Sequence, residues 1–361
     1  MWQKQGAVTL RSRNRFGTLV CWLSLGLSFL PAPPNLLAAN PLLKRHEYAL
    51  PRMGTMFRIE MYSADDAEAS KAAEAAFARA EELEQIMSDY RPDSELMHLS
   101  HEGAKAPFPV SSDLYDVLAK SLWTSELSRG LFDVSISPVV DLWRDARKTG
   151  RLPDPEEIKR AKALVDYRNI ALDGARHTVF LKRAGMKLDL GAIGKGYAAD
   201  QMLAVLQSRG MHSAMVVAGG EVVVGRPPPA QSGWNVEIGT ADAKAESPPC
   251  TLLLRAGAVS TSGDEHQFLE VNGHRYSHVI NPKTGWALEG ESSTTVVARD
   301  STTADALATA FSLMSVADGM QVAESLPGVA ALWVRRVGGE WKHYTSRGFP
   351  TTCSALQERG Q

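Results

Sequence analysis

The chain has 361 residues, of which 44% are hydrophobic and 22% are charged, and its formal net charge is −2. This is an ordinary globular composition, long enough for one large domain or two modest ones. The near-neutral charge, without any basic block interleaved with aromatic residues, excludes the electrostatic footprint of a nucleic-acid-binding protein.

The N-terminal forty residues differ from the rest of the chain. Positive charges lie within 4–15, an apolar run follows at 17–30, and small residues stand at Ala38 and Ala39. This order predicts a secretory signal peptide over 1–39, followed by a single domain at 40–361 in an exported, periplasmic protein. An uncleaved signal anchored in the inner membrane is the alternative, although the run is short for a span. A lipoprotein signal is rejected because Cys21 lies inside the apolar run.

Hydrophobic periodicity predicts strands and helices in mixed order. In chain order, the pattern predicts a strand at 55–62, helices at 64–90 and 111–130, a short strand at 132–134, a helix at 154–165, strands at 177–181 and 186–190, a helix at 196–209, strands at 213–218, 234–239, 251–260, 274–280 and 293–299, a helix at 303–314, and strands at 331–336 and 340–344. Because regular βαβ alternation is lacking, we expect an α+β fold with a mainly antiparallel sheet.

The stretch 188–200, LDLGAIGKGYAAD, joins a strand to a helix through a glycine turn that carries Lys195. Such a turn is typical of bound phosphate. Its spacing fits neither a Walker A loop, since Gly196 follows the lysine, nor the dinucleotide fingerprint, since the glycine order is G-x-x-G-x-G. A turn that needs glycine only for its geometry is the alternative.

Candidate metal ligands and anion sites are dispersed along the chain. Asp305 and Thr309 are four apart and so share a helix face. With carbonyls from a glycine turn they would suit Mg²⁺, although a capping acid and a back-bonded hydroxyl are the structural alternatives. Glycine-rich turns at 219–220, 261–263 and 281–285 supply backbone N–H groups for an anion.

Other polar and aromatic residues have two interpretations each. His278 is a candidate general base or a half-buried histidine at a sheet edge. Asp189 ends an apolar strand and requires a partner, either a ligand, backbone N–H groups or Lys195. Tyr90 and the segment 132–134 either flank a flat ring or pack in the core. Cys250 and Cys353 permit a disulfide, which the sequence leaves open.

Taken together, these stretches resemble the FAD:protein FMN transferase family, the ApbE-like flavin transferases. The resemblance covers nearly the whole chain after residue 53. It is carried by MGTMF (53–57), MSDYRPDSEL (87–96), GLFDVSISPVVDLW (130–143), LDLGAIGKGYAAD (188–200), VAGGEVVVG (217–225), AVSTSGD (258–264), HVINPKTG (278–285) and ADALATA (304–310).

The resemblance implies an α+β fold related to the T-fold and an enzyme that transfers FMN from FAD to a Thr or Ser hydroxyl of an acceptor flavoprotein, releasing AMP. The acceptor would be a subunit of an exported or membrane electron-transfer complex. Magnesium would be held by Ala192, Asp305, Ala308 and Thr309, and His278 would activate the acceptor hydroxyl. FAD contacts would map to Met53, Tyr90, Phe132, Asp133, Val134, Asp189, Lys195 and Val279.

Two positions and one short segment depart from the family pattern. Asn281 stands where the family usually has aspartate, Ser100 replaces a common asparagine, and the segment 265–267 is not aromatic and basic. These departures leave the predicted metal ligands in place. A Mg²⁺-dependent FAD pyrophosphatase that yields FMN and AMP, and a non-catalytic exported FAD-binding protein, are the alternative functions.

Overall fold

A computed structural model describes residues 43–241, 250–263 and 268–350 of the chain. The predicted signal peptide, Cys353 and the segment 265–267 lie outside these residues. The described residues form one compact unit. Cys250 is disulfide-bonded. In the described part of the chain, no helix has the length and apolarity needed to cross a membrane.

The helices of the described residues alternate irregularly with the strands. They are α1 Asp66–Met87, α2 Glu95–Glu102, α3 Ser112–Leu127, α4 Ser137–Thr149, α5 Pro155–Lys162, α6 Gly194–Ser208, α7 Ser301–Leu313 and α8 Val316–Ser325. Side-chain caps explain where most of them begin, since an aspartate or serine just before the first turn accepts its free N–H groups. These caps are Asp65, Ser94, Ser111, Asp154, Asp300 and Ser315.

The strands are β1 Lys44–Arg52, β2 Thr55–Ser63, β3 Phe108–Pro109, β4 Ile170–Asp173, β5 Thr178–Leu181, β6 Ala214–Ala218, β7 Glu221–Val224, β8 Trp234–Ile238, β9 Cys250–Leu254, β10 Gly257–Gly263, β11 Phe268–Val271, β12 His274–Ile280, β13 Ala287–Glu289, β14 Ser292–Ala298, β15 Ala330–Val337 and β16 Glu340–Thr345. The main sheet has the order β1-β2-β6-β7-β10-β14-β15-β16. Smaller sheets are formed by β11-β12-β13, β3-β5-β4 and β8-β9.

The main sheet is covered on both faces. Strand residues alternate between the faces, so Ala214, Val216 and Ala218 of β6 join the core formed with α1, α6 and α7. Met215, between them, joins a second core beneath the β8–β9 hairpin. A third cluster, around Trp143 and Tyr276, packs α4 against the β11–β12–β13 sheet. The helix layer, which carries α6 and α7 side by side, holds the candidate site.

The predicted α+β fold with a mainly antiparallel sheet is confirmed, since every strand pair formed by the described residues is antiparallel. The single strand predicted over 251–260 is wrong. Gly257 takes a φ of +99°, and a Cβ there would lie 2.6 Å from the Ala298 carbonyl oxygen. The chain therefore turns between β9 and β10, which enter different sheets.

Two further strand predictions are wrong near the candidate site. Residues 186–190 are extended but pair only through one isolated bridge between Lys187 and Ile136. Residues 132–134 form a turn, because the Asp133 carboxylate accepts the N–H and hydroxyl of Ser135 instead of leaving the backbone free to pair. Both segments keep their apolar side chains in the core, which is why their patterns resembled buried strands.

Candidate active site

The loop at 188–194 is fixed by its own backbone. The Asp189 N–H donates to the Val134 carbonyl at 2.8 Å, and Asp189 Oδ1 accepts the Gly191 N–H at 2.7 Å. The N–H groups of Ile193 and Gly194 both donate to the Leu190 carbonyl. The turn thereby places Ala192 directly before α6. These N–H groups are therefore engaged inside the turn and are not open to an anion.

Helices α6 and α7 meet at backbone distance. Asp305 Oδ2 on α7 accepts the Gly196 N–H of α6 at 2.9 Å. In return, the Asp200 carboxylate on α6 accepts the N–H groups of Ser301 and Thr302, both at 2.8 Å, at the start of α7. A Cβ at Gly196 would lie 2.4 Å from the Ser301 carbonyl oxygen. The capping interpretation of Asp305 is therefore partly right, but the helix it caps is α6 and not its own.

A buried charge cluster lies beside this contact. Lys195 Nζ lies 2.9 Å from Glu221 Oε1 and 3.9 Å from Asp305 Oδ2. Lys195 thus pairs with Glu221, not with Asp189 as one interpretation of the sequence had it. Glu221 Oε2 is buried without a hydrogen-bond partner. The cluster therefore contains two carboxylates and one cation, and one oxygen of the Glu221 carboxylate has no hydrogen-bond partner.

Burial dominates the electrostatics of this cluster. Burial raises the pKa of Glu221 to about 7, with Lys195 opposing the shift and Asp305 adding to it. Burial also raises the pKa of Asp305, against the charge of Lys195 and the Gly196 hydrogen bond. Burial disfavours the charge of Lys195, but Asp305 and Glu221 outweigh it and raise its pKa. An additional cation at this cluster would favour both ionised carboxylates.

The predicted metal ligands fit a hard cation by their chemistry. Asp305 offers a nearly buried carboxylate, Thr309 is half-buried on the same helix face, and Ala192 contributes a backbone carbonyl in the turn before α6. Carboxylate, hydroxyl and carbonyl oxygens are the donors that Mg²⁺ takes. Ala308 is fully buried and has only backbone atoms to offer a ligand. No group of three or more His, Cys, Asp or Glu side chains arranged for a metal occurs in the described ranges.

A second charged group surrounds Asp189. Asp189 Oδ2 lies 3.0 Å from Arg144 Nη2, and Arg144 Nη1 lies 2.5 Å from Asp89 Oδ2. The Arg144 guanidinium also covers the Tyr90 ring, 4.4 Å from its centre. Burial and the Asp89 charge raise the pKa of Asp189 to about 6, and Arg144 opposes them. Through the turn at 189–194, this group is joined directly to α6 and Lys195.

The remaining FAD residues predicted near the turn are buried. Phe132 and Val134 belong to the core, and the Asp133 carboxylate accepts hydrogen bonds from Ser135 and from the Tyr167 N–H. Burial raises the pKa of Asp133 against these hydrogen bonds. The side chains of this segment hold the loop, while its backbone supports Asp189 through the Val134 carbonyl. The interpretation as core packing therefore describes Phe132 and Val134.

Met53 stands at a strained position. It forms a two-residue turn with Gly54 between the paired residues Arg52 and Thr55. Its φ is +46° and that of Gly54 is +73°, whereas a left-handed conformation is uncommon for side chains such as methionine. The Met53 N–H donates to Glu84 Oε2 at 3.0 Å, which ties the turn to α1. Strain of this kind is concentrated at functional sites.

His278 and Val279 lie on β12, which packs beside α7. His278 is exposed and Val279 is buried. The following turn closes on Asn281, whose Oδ1 accepts the Lys283 N–H at 2.9 Å and whose carbonyl accepts the Gly285 N–H at 2.8 Å. The side-chain oxygen and the carbonyl of Asn281 thus close the turn that follows His278 and Val279.

Two charged residues at this site were not assigned a role by the sequence patterns. Arg144 lies 45 positions before Asp189, and Glu221 lies 26 positions after Lys195. The Arg144–Asp189 and Lys195–Glu221 contacts join residues that are far apart in the sequence, so no short motif indicates them. Glu221 follows a glycine pair at a strand end, but that pattern does not indicate its contact with Lys195.

A separate cavity of about 550 Å³ is lined by residues of β11, β12, β13 and β15 and of the turn between β13 and β14. It is lined by charged side chains of both signs, including His274, Glu289 and Arg336. None of the predicted site residues is part of its lining. The chemistry of the candidate site therefore rests on the α6–α7 contact and not on this cavity.

One protein family matches most of this chain. The model of the ApbE family matches residues 53–333. The FAD:protein FMN transferase of Treponema pallidum (strain Nichols) is 35% identical over 297 residues, which cover 78% of this chain and 82% of that protein. The FAD:protein FMN transferase of Vibrio cholerae serotype O1 is 30% identical over 303 residues, covering 83% and 90% respectively.

Solved structures have the same fold. The flavin transferase ApbE from Vibrio cholerae superposes with a TM-score of 0.75 at 28% identity, covering 88% of this chain and 99% of that one. The apo form of the Pseudomonas stutzeri flavinyl transferase ApbE gives a TM-score of 0.74 at 27% identity, covering 85% and 96%. The similarity spans every element that forms the candidate site, since the family match runs from Met53 to Trp333.

Proposed function

The chain belongs to the ApbE family, and from this premise we propose that it transfers FMN from FAD to a Thr or Ser hydroxyl of an acceptor flavoprotein in a Mg²⁺-dependent reaction. It is an enzyme of the transferase class. The bond between the two phosphates of FAD breaks, a phosphoester to the acceptor forms, and AMP leaves. The observation that carries the proposal is the junction of α6 and α7, where Lys195, Asp305 and the turn at 189–194 converge beside a buried carboxylate.

Magnesium would be held by Asp305, Thr309 and the backbone of Ala192 and Ala308. When bound, it would neutralise phosphate charge and stabilise the departing AMP. The fit rests on the oxygen donors and on the raised pKa of Asp305, which a cation would reverse. Lys195, already charged and only partly exposed, supplies a second positive charge for the phosphates. Phosphoryl transfer depends mainly on such charge placement and alignment.

His278 would accept the proton of the acceptor hydroxyl. The acceptor is a macromolecule, so its base has to be reachable from outside the fold, and His278 is exposed on β12 beside α7. Tyr90, Asp189 and Met53 would bind FAD. The buried residues Phe132, Asp133 and Val134 would act through their backbone, and Val279 would contact FAD from β12.

We also propose that the protein works outside the cytoplasm. The N-terminal segment has the order of a signal peptide, and its removal would leave the domain that starts near residue 40. The acceptor would then be a subunit of an exported or membrane electron-transfer complex. Secretion of a fusion of residues 1–45 to a reporter, compared with the same fusion carrying an arginine in the apolar run, tests this part.

Intact-mass spectrometry tests the proposed reaction. The protein is mixed with FAD, Mg²⁺ and a threonine-containing flavoprotein domain of an exported electron-transfer subunit. We expect the acceptor to gain the mass of FMN minus water, with AMP released in equal amount. Free FMN and AMP with an unmodified acceptor would indicate a pyrophosphatase, and intact FAD would indicate a binding protein. An EDTA-treated sample serves as the control for the metal requirement.

A further inference from the structure

Arg144 of α4 contacts three residues that come from two other segments of the chain. Its two terminal nitrogens lie 2.5 Å from Asp89 Oδ2 and 3.0 Å from Asp189 Oδ2, and its guanidinium plane covers the Tyr90 ring at 4.4 Å. All three charged side chains are largely buried, with exposed fractions of 18% for Arg144, 10% for Asp89 and 9% for Asp189. Arg144 is therefore the link between the Asp89–Tyr90 turn and the 189–194 turn.

Tyr90 is unusual because it is held in place and yet left open. Its side chain is 75% exposed, more than any other large hydrophobic side chain of the described residues. Its backbone N–H donates to Ser88 Oγ at 3.2 Å, and the guanidinium covers one face of the ring. An aromatic ring supported on one face and open on the other is a stacking surface for a planar ligand.

The charges make Arg144 difficult to replace. Asp89 and Asp189 repel each other, since the Asp89 charge raises the pKa of Asp189. One guanidinium separates them, holds each with a different nitrogen and still presents its flat face to Tyr90. Lysine has the same charge but no planar fork, so it cannot make the three contacts together. The position of Asp189 then fixes the 189–194 turn through its bond to the Gly191 N–H.

We propose that Arg144 is a positioning residue that holds Tyr90 and Asp189 in the arrangement that receives the isoalloxazine ring of FAD. This inference rests on the proposed function and adds to it a residue that does not itself react. Arg144 acts through Tyr90 and Asp189: it sets the plane of the stacking ring and the direction of the carboxylate. Its loss affects how bound flavin stacks, and not only how stable the fold is.

The test uses the conservative variant Arg144→Lys in the full chain, with FAD binding followed by quenching of flavin fluorescence. We expect FAD to bind about tenfold more weakly, because the ligand contacts are displaced. We also expect the flavin that is bound at saturation to be less quenched than in the wild type, since Tyr90 no longer stacks in register. Lys120→Gln, which removes a comparable cation–aromatic contact over Trp123 at 4.2 Å, serves as the control and keeps wild-type binding.

A double-mutant cycle with Tyr90→Leu separates positioning from general damage. If Arg144 acts in part through the ring, Arg144→Lys weakens FAD binding by a smaller factor in the Tyr90→Leu background than in the wild type, and the remaining factor is the part that acts through Asp189. The inference would be overturned if the double variant lost FAD affinity by the full product of the two single-variant factors. It would also be overturned if Arg144→Lys bound and quenched FAD like the wild type. If Arg144→Lys does not fold, the double variant Asp89→Asn/Arg144→Gln replaces it, because this variant removes one negative charge together with the positive one. Its FAD affinity and its flavin quenching are judged in the same way.

The proposed function is tested separately by the wild-type protein in the same assay. Absence of FAD binding by the wild type would contradict the proposed function and with it the role of Arg144. Wild-type binding and transfer, combined with an Arg144→Lys variant that behaves like the wild type, would contradict the role of Arg144 alone.

Discussion

Asp200 and Asp305 cap each other's helices. Asp200, in the middle of α6, binds the first N–H groups of α7, and Asp305, in the first turns of α7, binds the Gly196 N–H near the start of α6. The two carboxylates differ in setting, since Asp305 is buried and accepts one N–H, whereas Asp200 is partly buried and accepts two N–H groups and the Thr302 hydroxyl. Only Asp305 also approaches Lys195 and belongs to the predicted Mg²⁺ set. Substitutions of the two residues can therefore distinguish the effect of losing a helix cap from the effect of losing the predicted metal ligand.

Asp305→Asn should abolish Mg²⁺-dependent transfer while leaving the fold intact. The amide oxygen still accepts the Gly196 N–H, but the negative charge that would bind the cation is gone. We expect the rate to fall by at least about a hundredfold. The measurement is the transfer rate against Mg²⁺ concentration.

Asp200→Asn is the matched control for this substitution. It changes the charge of a cap without touching the Lys195 cluster, so we expect a loss of about 1 kcal/mol in unfolding free energy and a nearly normal transfer rate. Urea unfolding and the same rate assay measure both quantities. A wild-type rate in Asp305→Asn, or an equal loss of rate in both variants, would refute the assignment of Asp305 to the metal.

His278→Gln should bind FAD normally and lose transfer by about 10²–10⁴-fold, the range of a lost general base. Because His278 is exposed, its replacement should leave the unfolding midpoint unchanged. His274→Gln, four residues earlier on β12 and also exposed, is the comparison and should transfer at the wild-type rate. Equal rates in the two variants would argue against His278 as the base, and unfolding of His278→Gln would favour a packing role.

Glu221 should make stability depend on pH. Its pKa is about 7 in the folded chain against 4.5 as the ordinary value, so the folded state holds this proton more tightly than the unfolded state. The stability contributed by protonated Glu221 is complete below about pH 4.5 and is lost as the pH rises through about 7. We therefore expect the unfolding free energy of the wild type, relative to Glu221→Gln, to fall across this interval and level off above it.

Urea unfolding of the wild type and Glu221→Gln in EDTA buffer at half-unit pH steps measures this difference. EDTA is needed because a bound cation would favour the ionised carboxylate and lower its pKa. A difference that stays constant or rises with pH would show that Glu221 is ionised throughout, with Lys195 as a full counter-charge.

Met53→Asn should stabilise the protein and weaken FAD binding. The turn formed by Met53 and Gly54 has positive φ at both residues, the geometry in which Asn-Gly is the preferred sequence. Relief of the strain is worth roughly 1 kcal/mol, the scale of a left-handed conformation in a residue that disfavours it. Thermal unfolding and FAD titration of the same sample measure both effects. Higher stability with unchanged FAD affinity would remove Met53 from the binding site.

The sequence patterns located the fold class and most strands but not the contacts that form the site. Helix α4 went unnoticed because the β-branched residues Ile136, Val139 and Val140 favour strands. Val139, Trp143 and Ala146 nevertheless have helical spacing and are buried. Arg144 lies on that helix, so its contacts with Asp89 and Asp189 could not be anticipated. The bond from Gly196 to Asp305 spans 109 residues and follows only from the tertiary fold.

Gly196 has no side chain and yet limits what the site can tolerate. Even a methyl group there would lie 2.4 Å from the Ser301 carbonyl oxygen and 2.8 Å from the Asp305 Cβ. Any side chain at this position therefore pushes α7 away from α6. Such a displacement carries Asp305 and Thr309 away from the turn that holds Ala192. In a saturation mutagenesis screen scored by enzymatic activity, Gly196 would rank with the reactive residues, although it contributes only a backbone N–H to Asp305 and the absence of a side chain.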